Sequence, residues 1–155
     1  MKQINKYIIE RLHITKDTGK QEYNYHPKDN KELKELVDNL IKERGNEADL
    51  NDIDTSKIDN MDKLFKNSDF NGDISKWDVS NVENMFVMFY NSKFTGENGD
   101  ISKWDVKKLR YATSMFQHSK FNCDISKWDV ANLEYSLDMF EDCPLQNNPP
   151  KWYKE

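Results

Sequence analysis

The sequence has few of the residues from which small catalytic and metal-binding sites are usually built. Its 155 residues include three histidines, two cysteines and five glycines, and none of them stands in an HxxxH, CxxC, GxSxG, GxGxxG or GxxxxGK[ST] pattern. The spacing of Cys123 and Cys143 predicts two reduced thiols rather than a zinc or redox pair. We therefore expect a protein that is not an enzyme and that binds neither a metal nor a cofactor.

Long apolar segments are also missing. Apolar residues make up 36% of the chain and the mean hydropathy is −0.99, and no stretch approaches the ~20 apolar residues of a transmembrane helix. Near the N-terminus, Asn5, Lys6, Glu10 and Arg11 interrupt the apolar residues, so that the sequence predicts no signal peptide. These features predict a cytoplasmic protein that does not enter a membrane.

An excess of positive charge is missing as well. The net charge is −5, and residues 49–155 carry thirteen Lys and Arg against nineteen Asp and Glu. Nonspecific nucleic-acid binding depends on the neutralisation of phosphates by Lys and Arg. The charge therefore predicts that the protein does not contact nucleic acid directly.

What the sequence does have is a repeat. The heptad DISKWDV occurs at 73–79, 100–106 and 124–130, so the copies lie 27 and 24 residues apart, and periods in this range are typical of stacked supersecondary units. Aligning the copies gives columns, where a column is the set of residues at equivalent positions in successive repeats. The apolar columns are Ile74, Ile101 and Ile125; Trp77, Trp104 and Trp128; Val79, Val106 and Val130; Val82, Leu109 and Leu133; Met88, Met115 and Met139; Phe89, Phe116 and Phe140; and Phe94, Phe121 and Leu145.

The apolar spacing within a copy predicts the fold class. IxxWxV matches the leucine-rich-repeat pattern LxxLxL, which predicts a short strand centred on WDV with the Trp pointing inward. The following apolar residues, from Val82 to Phe89, have the i, i+3, i+6, i+7 spacing of about two helical turns. We therefore expect an α/β repeat solenoid, a leucine-rich-repeat-like stack of short parallel strands and short helices. It should span residues 49–155, with a degenerate first rung, about four rungs in all, and a C-terminal cap containing Pro149 and Trp152.

Residues 1–48 are predicted to form an N-terminal helical cap. Asp29 and Glu32 have the spacing of a capping box, and Gly45 should end the helix. The apolar stripe of this helix comprises Leu33, Leu36, Val37, Leu40 and Ile41. Ahead of it, Ile4, Ile8 and Leu12 could define a second amphipathic helix, which would either dock on the cap or contact a partner.

Two Asp columns could form ion sites. They comprise Asp73, Asp100 and Asp124 in the first column and Asp78, Asp105 and Asp129 in the second. Calcium could lie between such stacked carboxylates. The favoured prediction is that the Lys column of Lys76, Lys103 and Lys127 neutralises the second Asp column, while the first bonds backbone amides of a turn.

Candidate binding residues are found where the repeats differ, because the repeating positions are occupied by the scaffold. One group is apolar or aromatic where neighbouring repeats are polar, and a three-residue insertion adds the loop TGENG. The alternative is that these side chains pack under the N-terminal segment. The predicted partner-binding residues are Phe86, Val87, Tyr90, Tyr111, Tyr135, Glu97 and Asn98.

The strings FNGDISKWDVSNVENM and FNCDISKWDV, with the Met-Phe pairs that follow them, resemble a known family. It is the bacterial surface-protein (BspA-type) leucine-rich-like repeat family, with repeats of about 25 residues, and the resemblance covers about residues 49–152. It implies a non-enzymatic solenoid used for binding, often in secreted proteins.

Together these features predict a non-enzymatic intracellular protein-binding module, expected to be a monomer. It could be an inhibitor or adaptor of a bacterial machine, encoded by a phage or mobile element. An acidic solenoid could block the channel of a nucleic-acid-binding enzyme, such as a CRISPR nuclease. The alternative is a surface adhesin or structural repeat protein.

Overall fold

The computed structural model describes residues 22–154 of the chain. In this range it contains one α-helix, α1 (Asn30–Arg44), and isolated parallel β-bridges, with turns and irregular chain elsewhere. The amphipathic helix predicted around Ile4, Ile8 and Leu12 falls outside the described residues. None of the helical structure between residues 22 and 154 has the length and apolar character needed to cross a membrane.

Helix α1 is delimited as its sequence predicts. The side chain of Asp29 accepts a hydrogen bond from the Glu32 amide at 2.9 Å, and Glu32 accepts one from the Lys28 amide at 3.0 Å. Gly45 ends the helix with a φ of 91°, and its N–H donates to the Ile41 carbonyl, because glycine adopts a positive φ without steric cost. The buried residues are Leu33, Leu36, Val37 and Leu40. The predicted capping helix is therefore confirmed.

The predicted α/β repeat solenoid is wrong, because the described repeats contain neither a sheet nor a helix. The DISKWDV heptad is not a strand but the beginning of two successive turns. The Trp77 amide donates to the Ile74 carbonyl at 3.2 Å, and the Val82 amide donates to the Val79 carbonyl at 2.9 Å. The same i to i+3 bonds recur in the second and third copies of the heptad, so the chain bends before an extended strand can form.

The predicted helix over Val82 to Phe89 is also absent. Amides that would bond the carbonyl four residues back instead donate to the next repeat, as Met85 does to the Tyr111 carbonyl at 2.8 Å. Val87 and Asn91 have φ values of 46° and 50°, which no right-handed helix accommodates. Apolar residues at three-residue intervals result from consecutive turns here, and this spacing is also compatible with the predicted helix.

Successive copies nevertheless contact one another along their whole length. We number them as the first repeat (49–72), the second (73–99), the third (100–123) and the fourth (124–147). Parallel bridges join Asn60 to Asn84, Asn84 to Tyr111 and Tyr111 to Tyr135. Phe65, Phe89, Phe116 and Phe140 form a column of stacked rings with successive centroids 5.3, 5.5 and 5.9 Å apart.

The Trp column points inward, as predicted. Trp77, Trp104 and Trp128 are 3 to 5% exposed. Each indole Nε1–H donates to a carbonyl of the preceding repeat, from Trp77 to Leu50, from Trp104 to Ile74 and from Trp128 to Ile101. Because a buried carbonyl without a donor is costly, this bond explains a Trp where the leucine-rich pattern has Leu.

The two ends of the stack are closed differently. At the N-terminal end, the Arg44 guanidinium forms two 2.9 Å bonds with the Asp52 carboxylate, and the Asn30 side-chain amide donates to the carbonyls of Asn60 and Asp62. Asp52 stands in the column that otherwise holds lysines, so this departure from the repeat joins α1 to the first repeat. At the C-terminal end, Trp152 stacks on Trp128 at 6.4 Å, as the predicted cap requires.

Both Asp columns act as turn acceptors. Asp73, Asp100 and Asp124 each accept the amide two residues on, which confirms the prediction for the first column. Asp78, Asp105 and Asp129 do the same. In residues 22–154, no ion pair joins this second column to the Lys column, so the predicted neutralisation is not found.

Candidate protein-binding surface

Large apolar side chains are exposed at few positions, and those positions lie together. In residues 22–154 they are Phe86 at 39%, Tyr111 at 36%, Tyr135 at 53% and Leu137 at 62% exposure. All four occupy two columns that are two residues apart in the sequence. We call these four residues the apolar patch.

The local backbone explains why these side chains face outward together. Asn84, Tyr111 and Tyr135 are joined by parallel bridges, and residues two positions apart in bridged, extended chain share a face. The residues between the two columns point inward, as fully buried Met85 and Ala112 show. The apolar patch therefore extends across the second, third and fourth repeats on a single face.

Two of the rings are held in a defined arrangement. Tyr111 and Tyr135 stack with their centroids 5.1 Å apart and their planes 6° from parallel. The Arg110 guanidinium lies 5.3 Å from the Tyr111 centroid and its Nε donates to Glu134 at 2.8 Å. That hydrogen bond lowers the pKa of the Glu134 carboxyl and raises the pKa of Arg110, so this charged pair at the margin persists over a wide pH range.

The predicted candidate Val87 lies elsewhere. Val87 is only 7% exposed, so its side chain does not belong to the exposed surface. Its φ of 46° is unusual for a β-branched residue. The equivalent positions of the other repeats hold Lys63, Ser114 and Asp138. The amide of Val87 donates to the Thr113 carbonyl, so that its role in the described structure is to join two repeats.

The remaining predicted candidates lie in two further places. Tyr90 is half-buried, with its ring edge-on to His118 at 5.3 Å and Lys66 5.5 Å from its centroid. Glu97 and Asn98 are exposed in the inserted loop, and the Asn98 side chain donates to the Asn71 carbonyl at 2.8 Å. The structure therefore brings Phe86, Tyr111 and Tyr135 onto one face, and it places the other candidates outside the apolar patch.

Sequence reasoning missed Leu137, the most exposed of the four. The signal was available, because Leu137 shares its column with Asp62, Phe86 and Thr113 and is apolar where two of them are polar.

The described part of the N-terminal segment contacts the first repeat. The Asn24 amide donates to the Asp52 carbonyl at 2.8 Å, and the Asp54 amide donates to the Tyr25 carbonyl at 2.8 Å. Tyr25 forms a parallel bridge with Ile53. Residues 22–26 thus lie beside the first repeat, whereas the apolar patch begins in the second.

Each of the two described histidines lies beside a single carboxylate. His26 lies 3.0 Å from Asp54, and His118 lies 3.1 Å from Asp142. No group of three or more metal-ligating side chains occurs in the described part of the chain. Burial raises the pKa of the Cys123 and Cys143 thiols, which keeps them protonated and weakly nucleophilic.

The stacked copies and the exposed rings define a repeat protein in which the large exposed apolar residues of the described range, 22–154, lie on one face. The chain belongs to the family described as Mycoplasma protein of unknown function, DUF285, whose family model matches residues 31–152. The match begins inside α1 and ends at Trp152, so it includes the capping helix as well as all four repeats. No curated protein and no solved structure matches the chain.

Proposed function

We propose that this protein is a non-enzymatic protein-binding module and that the apolar patch is its contact surface. The observation that carries the proposal is the confinement of Phe86, Tyr111, Tyr135 and Leu137 to two columns on one face. Single apolar residues scattered over a surface are ordinary, whereas a grouped set is typical of an interaction site.

The chemistry of the apolar patch supports a protein as the ligand. Tyrosine and arginine are enriched among the residues that dominate protein interfaces, and Leu and Phe add buried apolar area there. Tyr111 and Tyr135 are stacked, and Arg110 lies against Tyr111. Because these side chains are already ordered, less conformational entropy is lost when a partner covers them.

A site-specific photo-crosslinking experiment tests this proposal. A photoreactive phenylalanine analogue is placed at Phe86 or at Tyr135, and a matched control carries it at exposed Lys103 in the Lys column. We expect one cellular protein to be crosslinked from both patch positions and not from position 103. Equal labelling from all three positions, or none from the patch, would refute the proposal.

The repeats themselves are proposed to be of the BspA type. The partner could lie inside the cell or at its surface. An inhibitor or adaptor of an intracellular machine and a surface adhesin would use the same apolar patch. The family resemblance of the repeats favours the adhesin as the second candidate. Fractionation of native cells separates the two, because an adhesin must be recovered with the cell surface or the medium.

A further inference from the structure

The backbone at the edge of each inner repeat is occupied by the repeat that follows. In the third repeat, the Arg110 carbonyl accepts the Tyr135 amide at 3.0 Å and the Ala112 amide donates to the Tyr135 carbonyl at 2.7 Å. The Ser114 amide donates to the Leu137 carbonyl at 2.9 Å. One backbone carbonyl and two backbone amides of the third repeat thus hold the fourth repeat in parallel register.

The corresponding groups of the fourth repeat have no hydrogen-bond partner among the described residues. They are the Glu134 carbonyl and the amides of Ser136 and Asp138, which form no hydrogen bond within residues 22–154. The C-terminal cap covers a different part of this repeat, because Trp152 lies on Trp128 and Tyr153 contacts Phe140. We call Glu134 to Asp138 the open edge.

Side-chain burial gives independent support for an uncovered end. Val106 and Leu109 of the third repeat are 1% and 0% exposed, whereas Val130 and Leu133 in the same columns are only partly buried. Tyr135 is stacked by Tyr111 on one side. The two most exposed members of the apolar patch, Tyr135 and Leu137, both lie on the open edge.

A second copy of this chain is a poor occupant of the open edge. Head-to-tail stacking would require the first repeat to offer its carbonyls, but those of Asn60 and Asp62 already accept the Asn30 side chain. Helix α1 is joined to the same repeat through Arg44 and Asp52. We therefore expect a segment of a different protein at the open edge.

The charge of the edge indicates the chemistry of that chain. Residues 134–142 contain four carboxylates and neither Lys nor Arg. Glu134 pairs with Arg110, and Asp142 lies beside His118. Asp138 forms no ion pair within the described residues. An approaching segment with Lys or Arg would be attracted to this edge, and an acidic one would be repelled.

We propose that the open edge binds an extended, cationic and apolar peptide segment of a partner protein as one additional parallel strand. This inference rests on the proposed function and specifies how part of the surface would be used. The segment donates an amide to the Glu134 carbonyl and accepts the Ser136 and Asp138 amides, the recognition mode known as strand addition. An aromatic residue of the segment stacks on Tyr135, and an apolar residue two positions later covers Leu137.

The test uses the full chain and a nine-residue peptide with blocked ends, in which Tyr and Leu stand two positions apart between lysines. Three matched peptides carry Glu in place of every Lys, Ser in place of Tyr, or a methyl group on the Tyr amide nitrogen. Binding is followed by the backbone amide signals and their hydrogen exchange. We expect the Ser136 and Asp138 amides to shift and to exchange at least tenfold more slowly with the lysine peptide.

The three altered peptides should bind at least tenfold more weakly, because each lacks the charge, the ring or the donor that the open edge recognises. Asp138→Asn should weaken binding of the lysine peptide. It should preserve the fold, since Asn tolerates the φ of 56° found at this position. Phe86→Ser is the matched control, because it alters the apolar patch two repeats away and should leave peptide binding unchanged.

Unchanged exchange at Ser136 and Asp138 with a saturating concentration of the lysine peptide would overturn the inference. Equal binding of the N-methylated peptide would overturn it too, because the contact would then not involve the backbone. Neither result affects crosslinking from Phe86, which tests the proposed function separately. A patch that crosslinks a partner while the open edge stays inert would leave the proposed function in place and refute only strand addition.

Discussion

Removing the indole of Trp104 should strongly destabilise the middle of the stack. Trp104 is 5% exposed, its ring stacks on Trp128 with centroids 6.4 Å apart, and its Nε1–H donates to the Ile74 carbonyl. Trp104→Ala removes this large buried side chain, so we expect the free energy of unfolding to fall by about 3–5 kcal/mol. Trp104→Phe keeps most of the apolar contact but leaves the carbonyl without its donor, which should cost about 1–3 kcal/mol.

The matched control is the neighbouring residue Lys103, which is exposed. Lys103→Ala should change the free energy of unfolding by less than about 0.5 kcal/mol. The three variants are compared by urea denaturation, with the slope checked for each. Equal destabilisation by Trp104→Ala and Lys103→Ala would refute the inward direction of the Trp column, and an unaffected Trp104→Phe would refute the role of the indole hydrogen bond.

Three further predictions concern the ends of the stack and the carboxylates. Arg44→Met removes the bidentate pair with Asp52 and should lower the free energy of unfolding, measured with urea, by about 1–2 kcal/mol. Adding Asp52→Asn should cause no further loss. Additive effects of the two substitutions would show that Arg44 and Asp52 do not act together. Burial raises the pKa of the Asp52 carboxyl, but hydrogen bonds from Arg44 and Asn24 outweigh it and leave the pKa below its ordinary value. The contribution of Asp52 to stability is therefore complete above the unfolded pKa of about 3.9 and is lost as the pH falls below it. Asp52→Asn should flatten the acid side of the plot of unfolding free energy against pH. An unchanged plot would contradict this role of Asp52. Millimolar calcium and a chelator should leave the Tm unchanged, because the carboxylates of both Asp columns accept turn amides, and a rise of several degrees with calcium would overturn this account.

The features that could be predicted from the sequence are those in which a local rule and the burial pattern agree. Asp29, Glu32 and Gly45 mark the two ends of α1 by their own hydrogen-bonding and backbone preferences, and the apolar stripe between them has a single interpretation. The register of the LxxLxL pattern predicts that the Trp column points inward, and the column is buried although the predicted strand is absent. The ends of α1 do not depend on which secondary structure the repeats adopt.

The secondary structure of the repeats could not be predicted, because their apolar spacing fits two conformations. Residues such as Val82 and Met85, three positions apart, lie on one face of a helix, but they also lie on one face of consecutive three-residue turns. The deciding factor is the destination of amides such as that of Met85, which donates to the Tyr111 carbonyl of the next repeat rather than to the carbonyl four residues back. A local pattern contains no information on such a bond.

The candidate surface was predicted in part for a related reason. Phe86, Tyr111 and Tyr135 could be found because they are apolar in columns that elsewhere hold polar residues. Val87 met the same criterion but is only 7% exposed, although Lys63 and Asp138 in the same column have similar φ values and are exposed. The alignment of the repeats therefore does not distinguish these cases, because the equivalent positions share a backbone conformation and differ in burial.

The apolar patch is tested most directly by a double variant that makes its columns resemble those of the other repeats. Phe86→Thr introduces the residue type of position 113, and Tyr111→Asn introduces that of positions 60 and 84, where the Asn side chain accepts the amide two residues on. Both changes suit the local backbone, so the Tm should stay within a few degrees of the original. Affinity for the protein crosslinked from Phe86 should fall at least tenfold, because buried aromatic anchors typically contribute ~2 kcal/mol or more each. Unchanged affinity at an unchanged Tm, or a loss of binding that only follows the unfolded fraction, would contradict the claim that this face binds the partner.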